Sequence, residues 1–139
     1  MLLTMRDRRN FVCKMFAGLS FAGLFSVSKS TLASDMKFNK TFVHHVFFWL
    51  KNPDSSEDRD AFEKGIEGLL KVPMIKASHV GKPVLSDRDV VDDSFTYSYM
   101  VMFDSSDDQN IYQTHPIHLK FIEDCSHLWE KVIVYDAMD

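Results

Sequence analysis

The segment Tyr112-Gln113-Thr114-His115-Pro116-Ile117-His118 carries the groups best able to do chemistry. Proline suits the first position of a helix, where its missing N–H would lack a partner anyway. With Pro116 in that position, His118 falls in the first turn, and the positive end of the helix dipole disfavours an imidazolium there. A neutral imidazole is what a general base needs. Tyr112 lies just before the proline, and a corner at Pro116 can bring its hydroxyl back toward the same space. A base beside a phenol suits removal of a proton next to a carbonyl, with the phenol holding the enolate oxygen. Blander roles compete. His115 and His118 can simply cap and brace the corner. Their spacing of three also suits two metal ligands, but a third and fourth are not evident nearby, so no metal and no cofactor are expected.

Few other residues offer reactive patterns. There is no serine nucleophile motif, no glycine-rich phosphate loop and no Cys-x-x-Cys. His44 and His45 are adjacent in an extended, Phe- and Val-rich stretch, so they must face opposite sides of it. Tyr97 and Tyr99 read as packing residues, and Met100 and Met102 as core. Asp87, Asp89, Asp92 and Asp93 read as a solvated loop, with a weak divalent-ion site as the sharper alternative.

The elements that must position these groups follow from periodicity. Thr41–Lys51 reads as a strand. Asn52–Ser55 is a turn that supplies an N-cap at Asp54 or Ser55, with Glu57 and Asp58 in the first helical turn. Phe62, Ile66, Leu69 and Leu70 recur at helical spacing, and Pro73 ends that helix. Met74–Lys82 and Ser94–Phe103 read as strands flanking an acidic loop. A short helix carries Ile111 and Tyr112, and a second piece restarts at Pro116 and includes Leu119, Ile122, Leu128 and Trp129. Lys131–Asp136 is the closing strand. The order β-α-β-β-α-α-β is the split, ferredoxin-like α+β arrangement with a four-stranded antiparallel sheet.

The first 33 residues are unlike the rest. Arg6, Arg8, Arg9 and Lys14 precede an apolar run over 15–27, and small residues follow up to Ala33. This is the order of a cleavable export signal, and Arg8-Arg9-Asn10-Phe11 resembles a twin-arginine motif. The expectation is a signal over 1–33, a linker over 34–41 and one domain over 42–136 in an exported, periplasmic protein without a mature membrane span. The whole chain carries 16 basic and 20 acidic residues, a charge of −4. Five of those bases and one of those acids lie in the signal, so the remaining 106 residues carry 11 against 19, a charge of −8. That balance argues against nucleic acid as a partner. Of the two cysteines, Cys13 leaves with the signal, and Cys125 alone cannot form an intramolecular disulfide.

A four-stranded sheet with helices on one side leaves its other face bare, and here that face would be aromatic and aliphatic. Packing two such sheets against each other covers it and predicts a homodimer, with a cavity between the sheets.

Three segments together resemble one known family: His44-His45-Val46-Phe47-Phe48-Trp49-Leu50-Lys51, Tyr112-Gln113-Thr114-His115-Pro116-Ile117-His118, and Trp129-Glu130-Lys131-Val132-Ile133-Val134-Tyr135-Asp136. They are similar to the opening strand, the Tyr-x-x-His-Pro-x-His segment and the closing strand of the stress-responsive A/B barrel (Dabb) family, within the dimeric α+β barrel group. The resemblance implies a ferredoxin-like domain that dimerises through its sheets, similar in fold to cofactor-free monooxygenases. The family includes a plant polyketide cyclase. By that pattern His118 is the base, Tyr112 binds or polarises the substrate, and His44 lines the cavity, with Val46, Phe48 and Trp129 expected beside it.

Three functions remain open on these residues. One is a stress-associated module that binds a small apolar or aromatic ligand in a cavity of its dimer. The second is a cofactor-free cyclase, isomerase or lyase using His118 and Tyr112. The third is a purely structural dimerising domain.

Overall fold

The computed structural model describes residues 40–139, so the expected export signal and most of the linker lie outside the described residues. The first strand, β1 (Phe42–Leu50), is built from aromatic and β-branched residues that favour a pleated surface. Its alternate residues His44, Val46, Phe48 and Leu50 are buried, whereas His45, Phe47 and Trp49 are half-exposed. Helix α1 (Ser56–Leu69) is capped by Ser55, whose hydroxyl accepts from the Asp58 N–H at 3.2 Å. Glu57 and Asp58 sit at its positive end, and Phe62, Ile66 and Leu69 form its buried stripe. Strand β2 (Ala77–Gly81) is short, and β3 (Tyr97–Phe103) follows a long loop. Helix α2 (Ser106–Thr114) ends at His115, and α3 (Pro116–Cys125) begins at once. A single 3₁₀ turn (Ser126–Leu128) leads into β4 (Trp129–Met138).

The strands form one antiparallel sheet in the order β2-β3-β1-β4. In register, His44 faces Val101 on one side and Asp136 on the other, and His45 faces Met100 and Tyr135. The inner faces of β1 and β3 join α1 and α3 in one core. Aromatic rings dominate it. Phe62 is fully buried, with its ring 5.0 Å from Phe48 and 4.9 Å from Tyr97. Trp129 lies 5.1 Å from Phe48 and stacks on Phe121 at 5.7 Å. Such contacts add about 0.5–1.5 kcal/mol each beyond the burial itself.

The expected α+β architecture is the one found, and several details differ. The second strand starts at Ala77 instead of Met74. The third starts at Tyr97, because Ser94 is folded into a turn on the Asp92 carboxylate and Thr96 bonds Phe48. Trp129 and Leu128 are not in the last helix: Leu128 closes the 3₁₀ turn and Trp129 opens β4. Leu119 and Ile122 are in α3 as expected, and the helix turns Phe121 and Cys125 inward while Leu119 is 56% exposed. Met100 and Met102 are not core residues either. They project to the sheet's outer face and are half-buried. Cys125 is a buried free thiol, the small hydrophobe expected of it. No helix among the described residues is long and apolar enough to cross a membrane.

Helices α1 and α3 approach most closely at Gly65. A Cβ there would overlap Cys125 Sγ and press on the Phe121 ring, whereas a Cβ at Gly68 would meet nothing. Gly65→Ala should therefore destabilise the domain by about 1–3 kcal/mol. Gly68→Ala should stabilise it by up to about 1 kcal/mol, because alanine loses less backbone freedom in a helix. Thermal unfolding of the two variants beside the parent checks both signs.

Candidate functional site

The corner between α2 and α3 sets the geometry. Proline pushes the preceding residue out of the helical region, and His115 is extended, with φ −65° and ψ 137°. Its ring turns back as the N-cap of α3, Nδ1 accepting from the Ile117 N–H at 3.2 Å. His115 thus takes the capping role, and His118 does not share it. His118 points toward the sheet, its ring 4.7 Å from that of Tyr112. The His44 ring lies 5.9 Å from that of Tyr112. One phenol therefore has two imidazoles near it.

These groups line a pocket of about 190 Å³ between the sheet and α2/α3. Tyr112 and Tyr99 are buried, and their hydroxyls share a hydrogen bond at 3.2 Å. The pair has two phenol protons and spends one on that bond, which leaves one to donate to a ligand. Burial holds the Tyr112 phenol up at about 12 despite the opposing effect of the Tyr99 hydroxyl, and burial also raises Tyr99. Both phenols stay protonated at neutral pH. His44 is buried, and its Nδ1 meets Asp136 Oδ1 at 2.6 Å. In a neutral ring that nitrogen donates to the carboxylate, which leaves Nε2 as the basic one. His118 is the least satisfied member. Its Nδ1 is buried without a hydrogen-bond partner. Burial lowers its pKa below the ordinary imidazole value, the Gln113 carbonyl opposes this, and the proximity of His44 adds to it. An unpaired buried polar atom costs roughly 1–3 kcal/mol. The remaining walls are apolar: Val46, Phe48, Leu69, Phe121 and Trp129 inside, and Ile122, Val132 and Val134 toward the surface.

All six residues singled out in the sequence are brought together here: His118, Tyr112, His44, Val46, Phe48 and Trp129. This cavity lies on the helix side of the sheet within one chain, because the strand residues that line it are the inward-facing half of β1 and their neighbours on β4. His118 is in the first turn of α3 as expected, and desolvation is the leading cause of its lowered pKa. Two members were missed. Tyr99 read as packing, although it shares a face with Tyr97 in an alternating strand. Asp136 lies 92 residues from His44, and only the β1–β4 register brings them opposite each other.

Two of the larger depressions have less to offer chemically. One of about 470 Å³ lies between α1 and β2, but its polar groups already satisfy one another: the Tyr97 hydroxyl donates to Glu63 at 2.6 Å, and Lys82 pairs with Glu63 at 2.9 Å. The other, about 780 Å³, crosses α1 and α3 over the Cys125 thiol, whose pKa burial raises. A raised pKa keeps a thiol unreactive. Among the described residues no three or more His, Cys, Asp or Glu side chains cluster as a metal site would require.

Comparison with known proteins agrees with this architecture. No curated protein sequence matches the chain. A Dabb family protein with a ferredoxin-like fold from Mesorhizobium loti is 18% identical with a TM-score of 0.61, covering 73% of this chain and 98% of that one. A hydroxynitrile lyase from Passiflora edulis is 22% identical with a TM-score of 0.63, covering 73% and 95%. A dimeric ferredoxin-like protein of unknown function from Thermobifida fusca is 14% identical with a TM-score of 0.60, covering 76% and 97%. The model of the stress responsive A/B barrel domain, Dabb, matches residues 42–139. The chain belongs to that family.

Proposed function

We propose that the pocket binds a small, neutral, apolar or aromatic carbonyl compound and moves its protons by acid–base chemistry without a cofactor. The observation that carries this reading is the buried, unpartnered Nδ1 of His118 beside a protonated phenol. A buried nitrogen left without a partner calls for an explanation, and a catalytic role is one. His118, neutral at pH 7, takes a proton from the carbon next to the carbonyl. The electron pair moves toward the carbonyl oxygen, which the free phenol proton of the Tyr112/Tyr99 pair stabilises, and the proton returns to product from the imidazolium. Asp136 holds the His44 ring in place and fixes its tautomer. A cavity of about 150 Å³ holds benzene, so this pocket suits one ring with a short side chain. The Passiflora neighbour's name as a lyase fits the same class of chemistry, as does the cyclase pattern of the resemblance. The leading residues 1–33 would place this activity outside the cytoplasm.

We further infer that the chain works as a homodimer through the outer face of the sheet. Phe47, Trp49, Met100, Met102, Ile133 and Tyr135 share that face, and Tyr135 is 63% exposed. The face measures roughly 30 Å by 15–20 Å, the scale of a small stable interface. The Thermobifida fusca neighbour is described as dimeric.

The first test is exchange chemistry. With one-ring aldehydes and ketones in deuterated buffer, the protein should speed exchange of the carbon-bound proton next to the carbonyl, measured by NMR. His118→Gln should lower that rate by about 10²-fold or more with melting temperature nearly unchanged, and Tyr112→Phe should lower it less. Because His118 has a lowered pKa, its base form persists below pH 6.5, so the acid limb of the rate should fall below that value. Ligands that raise the melting temperature with no exchange would support a carrier and overturn the catalytic reading. Separately, Tyr99→Phe should cost about 1–2 kcal/mol in denaturant unfolding, because it leaves the buried Tyr112 hydroxyl without its partner.

A further inference from the structure

The outer face of the sheet carries two histidines that the pocket does not use. His45 on β1 and His79 on β2 occupy one row across the strands, with Met100 of β3 between them. Their rings lean the same way along the sheet. His45 Nε2 bonds Ser98 Oγ at 2.7 Å, and its ring lies 4.2 Å from that of Phe47. The His79 ring lies over Gly81, where a Cβ would come within 2.9 Å of Cε1. Ser98 and Gly81 are themselves paired partners, so both imidazoles converge above one step of the sheet.

No carboxylate is among the paired strand residues of this face. The register places Val43, His45, Phe47 and Trp49 of β1 on it, with Ser98, Met100 and Met102 of β3. β2 adds Ala77, His79 and Gly81, and β4 adds Lys131, Ile133, Tyr135 and Ala137. The titratable groups that face the pair are therefore each other, Lys131 and Tyr135. Lys131 lies over the Trp49 ring at 4.0 Å, at the far end, where the loop carboxylate Asp92 acts on it. The influences on His45 are burial, His79 and His44, all of which disfavour its charged form.

We propose that self-association through this face depends on His45 and His79 being uncharged, so that acidification separates the copies. The proposal rests on the homodimer reading above. Covering the face with a second, identical one adds two more imidazoles and no acid. A histidine forced to stay neutral in the dimer binds its proton more readily in the free chain, so protons favour the free chain. Each imidazole kept neutral by the interface multiplies the dissociation constant by at most about ten between pH 7.5 and pH 5.5, and by less for His45, whose charged form the free chain already disfavours; a dimer contains four, so the rise is at most about 10⁴-fold.

Sedimentation equilibrium of the protein at pH 7.5 and pH 5.5 tests this, with circular dichroism confirming the fold at each pH. The expected result is a dimer at pH 7.5 whose dissociation constant rises at least about tenfold at pH 5.5. In the His45→Gln/His79→Gln variant the constant should change less than threefold. His79→Gln alone replaces an exposed side chain and should weaken the response without abolishing it. A monomer at pH 7.5 would overturn the homodimer reading and the proposal with it. A dimer indifferent to pH, or acid dissociation that persists in the double variant, would overturn the histidine dependence alone.

Discussion

The bend at His115–Pro116 is the constraint on which the site depends. In one continuous helix, residues six apart are separated by roughly 9 Å along the axis and 120° around it, so Tyr112 and His118 could not face each other. Proline breaks the helix without leaving a vacant donor, His115 caps the new start through its own ring, and the second helix sets off at a new angle. The result is a base and a phenol with rings 4.7 Å apart, aimed at the same patch of sheet. The sheet supplies the rest in antiparallel register, with one irregularity at Trp49/Leu50 where Trp129 opens β4.

Strand β1 is used on both sides. Its even-numbered residues, from His44 to Leu50, belong to the pocket and the core. Its odd-numbered residues, from His45 to Trp49, belong to the outer face. The two histidines that look like a repeat are thus chemically separate. His44 is buried, held by Asp136 and packed on Tyr112, whereas His45 lies among thioethers and aromatic rings near His79. A slip of one residue would exchange them, which is why the apolar residues opposite, Tyr99 and Val101 on β3, matter to the chemistry as well as to stability.

Much of this was legible in the sequence because it is local. Alternation identifies β1 and β3, the spacing of Phe62, Ile66 and Leu69 identifies α1, and Pro116 announces the corner. Non-local facts were not legible. Which side of a two-faced strand receives the helices cannot be read from alternation when both faces are apolar, so Met100 and Met102 were assigned to the core. The role of Asp136 depends on strand order, which brings the two ends of the domain together. Trp129 fell into the helix because the single 3₁₀ turn before it continues the helical pattern for three residues with no glycine or proline to mark the end.

The account stands on His118 being a neutral, unpartnered base in an apolar pocket. Titration of the imidazole carbon-bound protons by NMR, with His118→Gln used for assignment, measures this directly. The account predicts a His118 pKa below 6.5 in the free protein and a shift of its resonance when a one-ring carbonyl compound is added. A His118 that titrates at or above 6.5 and ignores such compounds would contradict it.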